Sequence, residues 1–398
     1  MQQLAILGST GSIGRQCLSV VEALAPRFGV VALAAGNNLE ALVGQVERYR
    51  PELVSVADAT KAGELAARLR EQGIAKLPEI QHGSAGMLAV GTHEAAEIVV
   101  SATVGVVGLP ATYEAVKCGK TIALSNKEVL VAAGELVMAA AHQAGKELLP
   151  VDSEHNAVHQ CLRGGTHGEV RRLILTASGG PFRKTPLKNL ETVTVEQALA
   201  HPNWKMGTRI TVDSATMMNK GFEIIEARWL FNMQPWQVDV VIHPQSTIHS
   251  MVEYVDGSVL AQLGATDMRM PIQYALTYPE RVASNQLDLD WGKLKRLDFE
   301  NASTRRYPCL RLAREAMKKG GAWPCALNAA DEVAVAAFLR HQIPFLGIPE
   351  VVEAVLRRTE RIRIEKMDDV LAADAGARRI AQEEVARLAG KAMTVSVH

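Results

Sequence analysis

The stretch Leu4-Ala5-Ile6-Leu7-Gly8-Ser9-Thr10-Gly11-Ser12-Ile13-Gly14 decides the fold class. A short apolar run leads at once into glycines at Gly-x-x-Gly-x-x-Gly spacing, and a helical pattern follows. Glycines let a backbone come close to a pyrophosphate, and the start of the next helix supplies N–H donors and the positive end of a dipole. The spacing differs from the commoner Gly-x-Gly-x-x-Gly, and a glycine triplet alone also suits a plain turn. Its place at a strand–helix junction favours dinucleotide binding.

Working outward, residues 4–7, 30–34, 53–56, 98–101, 121–124 and 148–151 are β-branched or apolar runs. Helical patterns separate them at 39–49, 60–72, 111–118 and 128–144. This alternation predicts βαβ units, hence an α/β fold with a doubly wound, Rossmann-like parallel sheet over residues 1–150. NAD-binding sheets usually end the second strand with an acid that bonds the ribose 2′-hydroxyl. Here Ala34-Ala35-Gly36-Asn37-Asn38 stands there, so no carboxylate repels a 2′-phosphate. That leans toward NADP, with Arg15 as a more distant cation.

Further along, runs at 173–176, 209–212, 238–242, 247–254 and 258–263 come closer together. They predict a central α/β catalytic domain over 151–282, with a hairpin at Asp256-Gly257. Residues 179–207 carry Pro181, Pro186 and Pro202 and show little periodicity, which predicts a lid loop. Residues 283–305 are polar and irregular, as in a linker, and 306–398 are helical in pattern, giving a C-terminal helical domain.

The richest chemistry lies in the run 201–223, which holds His201, Trp204, Met206, Ser214, Asn219, Lys220 and Glu223. Two neutral hydrogen-bonding groups and a cation, as in Ser214, Asn219 and Lys220, suit a phosphate monoester. Glu223 stands one helical turn after Asn219, so both can face one cavity. Lys220 and Glu223 also read as a surface salt bridge at i, i+3. Upstream, Ser125-Asn126-Lys127-Glu128 and Asp152-Ser153-Glu154 each follow a predicted strand, at the edge where open α/β sheets bind ligands. Asp-x-Glu at a strand end points both side chains the same way. With Glu223 these acids make a hard oxygen set that favours Mg²⁺ or Mn²⁺. Trp204 suits an apolar cap over a substrate, and Met206 suits packing against a nicotinamide ring; either also suits ordinary core filling. His201 suits donation to a phosphate. His155 and His159 resemble half a zinc site, but no third ligand pattern accompanies them.

Composition narrows the classes. The 398 residues imply two or three domains, and 48% hydrophobic content supports a sizeable core. Lys plus Arg equals Asp plus Glu at 43 each, so charge makes no case for nucleic acid or an anionic membrane. No apolar run approaches the roughly 18 residues of a membrane span. No basic region precedes Leu4, which predicts no signal peptide. The five cysteines (17, 118, 161, 309 and 325) are scattered and never form Cys-x-x-Cys, which fits a reducing cytoplasm.

Over essentially its whole length the chain resembles the 1-deoxy-D-xylulose 5-phosphate reductoisomerases. The resemblance rests on the glycine run 8–14, Ala123-Leu-Ser-Asn-Lys-Glu128, Pro150-Val-Asp-Ser-Glu-His155, Ala177-Ser-Gly-Gly-Pro-Phe182, the run 201–223, and Ile242-His-Pro-Gln-Ser246. It implies conversion of 1-deoxy-D-xylulose 5-phosphate and NADPH to 2-C-methyl-D-erythritol 4-phosphate, in isoprenoid precursor synthesis. It implies Asp152, Glu154 and Glu223 as ligands of Mg²⁺ or Mn²⁺. Ser178, His201, Ser214, Asn219 and Lys220 match its phosphate and substrate contacts, with Lys127 and Ser153 on the substrate oxygens and Trp204 in the lid. Thr10, Gly11, Ser12, Ile13, Gly36, Asn37, Asn38, Asn126, Glu128 and Gly207 match its NADPH contacts. Family members are similar in forming homodimers. Asn37 departs from the basic residue many members carry, which bears on NADPH over NADH preference. Two other readings stay open: an NADP-dependent semialdehyde dehydrogenase, which needs an activated cysteine, with Cys118 or Cys161 as candidates, and a non-catalytic NADP-sensing regulator.

Overall fold

The first strand of the chain, β1 (Gln2–Leu7), lies in the middle of a seven-stranded sheet in this computed structural model. The structure describes residues 1–202, 204, 207–283 and 288–395. The other strands are β2 (Phe28–Ala34), β3 (Leu53–Val56), β4 (Glu79–His82), β5 (Ile98–Ser101), β6 (Thr121–Leu124) and β7 (Leu148–Pro150). All pair in parallel, in the order β4-β3-β2-β1-β5-β6-β7. The order reverses beside β1, as the doubly wound pattern requires.

Register aligns the strand ends. Leu7 pairs with Ala34 on one side and Ser101 on the other, Ser101 with Leu124, and Leu124 with Pro150. The segments that follow these ends are Gly36–Asn38, Gly8–Gly14, 102–108, Asn126–Glu128 and Asp152–Glu154. One edge of the sheet therefore collects nearly every motif singled out in this half of the chain. The strands are apolar because both faces are covered: Leu4, Ile6, Leu33, Val54 and Val100 are buried with Leu42 and Ile272 of the flanking helices.

The expected strands of this sheet are present, and β4 joins them. It was not legible because Glu79-Ile-Gln-His82 is an edge strand with exposed polar ends.

The second sheet runs β11-β10-β8-β9-β12, with β8 (Val170–Ala177), β9 (Val238–Ile242), β10 (Ile248–Tyr254), β11 (Val259–Leu263) and β12 (Glu300–Asn301). β8 pairs parallel to β9 and antiparallel to β10. The hairpin from β10 to β11 turns at Asp256-Gly257, where Gly257 has φ +86 and Ser258 N–H donates to Asp256 Oδ1 at 2.8 Å. Helices Met218–Leu230, Pro308–Lys319, Trp323–Leu339 and Gly347–Arg358 share one core with this sheet, including Leu173, Leu175, Phe222, Leu310, Leu327 and Val352. Helix Met218–Leu230 approaches Pro308–Lys319 closely enough that a Cβ on Gly221 would meet Ala313 Cβ at 2.7 Å.

Three expectations change. The run 209–212 is not a strand: it lies in helix Thr208–Thr216. Its β-branched residues favour a strand locally, but Gly207 opens a helix there and its carbonyl accepts the Thr211 hydroxyl at 2.9 Å. Compactness also divides the chain differently from the expected domains. One unit comprises Met1–Val129, Val137–Asn156 and Asp267–Leu287; the other comprises Leu130–Leu136, Ala157–Thr266 and Asp288–His398. The central and C-terminal parts thus share a core, and the expected linker contributes β12 to a sheet. Finally, the segment 179–207 is not a bare loop. It holds a 3₁₀ turn at Leu187–Thr192 and a helix at Val195–Leu199, whose Leu190, Val195 and Ala198 are buried in that core.

The glycine turn is a close-packed object. A Cβ on Gly14 would lie 2.4 Å from Gly8 O and 2.6 Å from Ser9 Cα, all backbone. Gly14→Ala should therefore cost about 1–3 kcal/mol, read as a lower urea midpoint. An unchanged midpoint would mean the turn is looser than this geometry.

Candidate active site

In the first unit the glycine turn leaves β1 with Gly8 at φ +90, and a Cβ there would strike Ala102 O at 2.5 Å. Only a glycine lets the loops after β1 and β5 touch at this point where the strand order reverses. Helix Ser12–Ala23 starts at Gly11 without a side-chain cap among the described residues and with no acid in its first turn. Its N–H groups and dipole suit a phosphate. Thr10, Gly11, Ser12 and Ile13 are all at least partly accessible there. Gly36, Asn37 and Asn38 are exposed beyond β2, and Asn38 also caps the next helix, accepting Ala41 N–H at 3.1 Å.

Asn126 and Glu128 bind their neighbouring loop. Asn126 Nδ2 donates to Thr103 Oγ1 at 2.8 Å and Gly105 O at 3.0 Å, while Glu128 Oε1 accepts Gly105 N–H at 3.1 Å. Segment 102–108, not singled out in the sequence, is thus built into the same edge. Its signal was present: two glycines after a strand that neighbours β1.

Lys127 Nζ lies 2.8 Å from Asp152 Oδ2, and His155 Nδ1 lies 3.5 Å from the same oxygen. Here one inference from sequence fails. β7 ends at Pro150, and helix Ser153–Leu162 begins directly after Asp152, so strand alternation does not orient Asp152 and Glu154. Glu154 sits in the first helical turn, where its carboxylate accepts the Ser153 hydroxyl at 2.8 Å and complements the helix dipole. His155, which the sequence paired only with His159 as half a zinc site, is 1% exposed beside Asp152.

In the second unit the run 208–230 folds as two helices, Thr208–Thr216 and Met218–Leu230, broken by Met217 at φ +63. From 211 to 227 every residue is buried except Ser214 and Asn219, which are partly accessible. These two form a polar window. Behind it, Asn219 Nδ2 donates to Glu223 Oε1 at 2.7 Å, and Lys220 Nζ pairs with Glu223 Oε2. The i, i+3 pair is therefore no surface salt bridge: Lys220 is 3% and Glu223 0% exposed.

Ser178 follows β8 and is joined to His201. Trp204 N–H donates to His201 Nδ1 at 3.0 Å, so Nδ1 is the acceptor and the ring proton sits on Nε2, 3.0 Å from Ser178 Oγ. The Trp204 ring lies 6.4 Å from that of His249, centroid to centroid. Gly207 is the N-cap of helix Thr208–Thr216. Met206 lies outside the described residues.

Asp152, Glu154 and Glu223 offer only oxygen donors, and two of them already carry an ammonium. That donor chemistry fits a hard divalent cation. The uncapped helix start and tight glycine turn fit a dinucleotide's pyrophosphate. The thiols do not fit the cysteine-dependent alternative. Of the two candidates, Cys161 is buried, and Cys118, though exposed, caps the end of helix Leu109–Lys117 just before β6, at the sheet edge opposite the glycine turn.

The parallel sheet with its glycine turn and uncapped helix start is that of the dinucleotide-dependent oxidoreductase class. A family model of 1-deoxy-D-xylulose 5-phosphate reductoisomerase matches residues 4–134. Models of its C-terminal domain match 148–231, and of the DXP reductoisomerase C-terminal domain 263–380. The chain is 52% identical to the 1-deoxy-D-xylulose 5-phosphate reductoisomerase of Solibacter usitatus, over 96% of this chain and 97% of that one. It is 50% identical to that of Prosthecochloris aestuarii, over 96% and 99%. Among solved structures, a DOX-P reductoisomerase in complex with NADPH, fosmidomycin and magnesium is similar with TM-score 0.91 and 38% identity, covering 97% of this chain and 98% of that one. The Zymomonas mobilis enzyme in complex with NADPH is similar with TM-score 0.90 and 42% identity, covering 96% and 99%. The chain belongs to the 1-deoxy-D-xylulose 5-phosphate reductoisomerase family.

Burial holds the His201 imidazole below its ordinary 6.5. The folded ring binds its proton more weakly than the unfolded one, so its stability contribution is present above pH 6.5 and lost as pH falls. Protonating Nδ1 also breaks the Trp204 bond. Trp204 fluorescence, taken as wild type minus Trp204→Phe, should therefore titrate with a midpoint below 6.5 and lose this transition in His201→Gln. A transition that survives His201→Gln would place its cause elsewhere.

Proposed function

We propose that this protein converts 1-deoxy-D-xylulose 5-phosphate to 2-C-methyl-D-erythritol 4-phosphate in an isomerisation followed by NADPH-dependent reduction, within isoprenoid precursor biosynthesis. The observation that carries this reading is the polar window of Ser214 and Asn219 backed by the buried Lys220–Glu223 pair, in a chain of this family. NADPH would be held at the glycine turn by Thr10, Gly11, Ser12 and Ile13, together with Gly36, Asn37 and Asn38 after β2. Asp152, Glu154 and Glu223 hold Mg²⁺ or Mn²⁺. When bound, the metal polarises adjacent substrate oxygens as a Lewis acid and NADPH supplies the hydride.

The chain's own groups do the rest. Ser178, His201, Ser214, Asn219 and Lys220 grip the phosphate; a neutral His201 donates from Nε2, and Lys220 brings positive charge that Glu223 keeps tolerable in the interior. Lys127 and Ser153 address the substrate's oxygens. Trp204 caps the site, so phosphate binding energy is spent on excluding water. The enzyme acts in the cytoplasm on a phosphorylated sugar; no helix among the described residues is long and apolar enough to cross a membrane. Edge strand β11 exposes Val259 (48%) and Leu260 (40%), an apolar edge that a second copy would cover, in support of a homodimer.

NADPH oxidation driven by 1-deoxy-D-xylulose 5-phosphate should vanish with a chelator and return with Mg²⁺ or Mn²⁺. Tight NADPH binding without any turnover would favour the sensing regulator instead. Glu223→Gln should cut turnover at least about 10²-fold while NADPH affinity stays unchanged; near-normal turnover would remove Glu223 from the metal set.

A further inference from the structure

Ser178 sits in a turn whose backbone is unusual: Gly179 and Gly180 are consecutive left-handed residues, at φ +82 and φ +67. Two such residues in a row are not held by local hydrogen bonding of a strand or helix, so something else must define the turn. Gly180 packs so closely on the next phosphate-facing segment that a Cβ there would lie 2.7 Å from Ser214 O. Gly180 N–H reaches Ser178 Oγ at 3.3 Å. Small shifts of Gly179 therefore move Ser178 and its distance from Ser214.

The group that holds Gly179 comes from far along the chain. Tyr307, 3% exposed, donates its phenolic hydrogen to Gly179 O at 3.0 Å. Burial pushes the phenol above its ordinary value, so it remains a donor across the working range. Its neighbour Arg306 clamps the next turn, with Nη1 on Phe182 O at 3.0 Å and on Thr185 O at 2.8 Å, and Nη2 on Thr185 O at 2.9 Å. Phe182 is fixed in addition by an edge-on contact with Phe345, centroids 5.1 Å apart. Tyr307 and Pro308 open the first C-terminal helix, so the anchor belongs to a rigid element rather than to the lid itself.

We propose that Tyr307 is a positioning residue for phosphate recognition: its hydroxyl holds the Gly179 carbonyl and so aims the Ser178 hydroxyl, with Arg306 securing the turn beyond. The inference rests on the reading of Ser178 as a phosphate contact. Tyr307 touches no reacting atom; it acts through Ser178.

Tyr307→Phe keeps the ring and its packing and removes only the donor. It should raise the KM for 1-deoxy-D-xylulose 5-phosphate about fivefold to tenfold, with kcat within about twofold and the NADPH dissociation constant unchanged. In a cycle with Ser178→Ala, the two losses should fail to add, because Tyr307 has nothing to aim once the Ser178 hydroxyl is gone. Additive losses, or a fall in kcat with unchanged KM, would overturn the proposal by making Tyr307 merely structural. An unchanged KM in Ser178→Ala would instead sink the reading of Ser178 on which the proposal rests. Should Tyr307→Phe fail to fold, Arg306→Met carries the same test, with a KM rise of at least about tenfold expected and Arg306→Lys restoring part of it.

Discussion

Lys220 and Glu223 are both withdrawn from water, and each helps to make the other's burial tolerable. Burying a lone charge costs several kcal/mol even after relaxation. The carboxylate is therefore satisfied on both oxygens, by the Lys220 ammonium and the Asn219 amide. An apolar pair of similar volume would serve stability as well, so the charges are better explained by what they bind. The Lys127–Asp152 pair repeats the arrangement in the first unit. Carboxylates that need a cation to remain buried are also carboxylates that a divalent cation can serve.

Backbone proximity is the second constraint, and it accounts for the glycines that matter. Gly8 is pressed against Ala102, Gly14 against Gly8, and Gly180 against Ser214. In each case a side chain would push apart two segments that must work together. Parallel pairing does the rest: with Ala34, Leu7, Ser101, Leu124 and Pro150 in register, five loops emerge along one edge without any further instruction. The second unit has no such edge. There the groups proposed to bind phosphate lie around the kink at Met217 and in a turn held by Tyr307.

The first sheet was legible because its strands are buried on both faces and read as short apolar runs between helical patterns. β4 escaped because an exposed edge strand has no need of apolar residues. Run 209–212 misled because β-branched residues signal a strand until tertiary burial and the cap at Gly207 override them. Strand alternation does not orient Asp152 and Glu154: the strand stops before them and a helix sets their directions. Segment 179–207 looked irregular since its two short helical turns draw their stability from Leu190, Val195 and Ala198 in the core, not from a local pattern.

Local chemistry alone determined the glycine turn, the spacing of Asn219 and Glu223 on one helical face, the absence of an acid after β2, and the motif set that marks the family. These depend on residues within a turn or two of each other, where spacing dictates geometry. Only the tertiary structure decided that the Lys220–Glu223 pair is buried, that segment 267–287 joins the first unit, and that Tyr307 reaches Gly179. Such facts depend on which surfaces lose water and on contacts spanning more than a hundred residues, and no local period in a sequence encodes either.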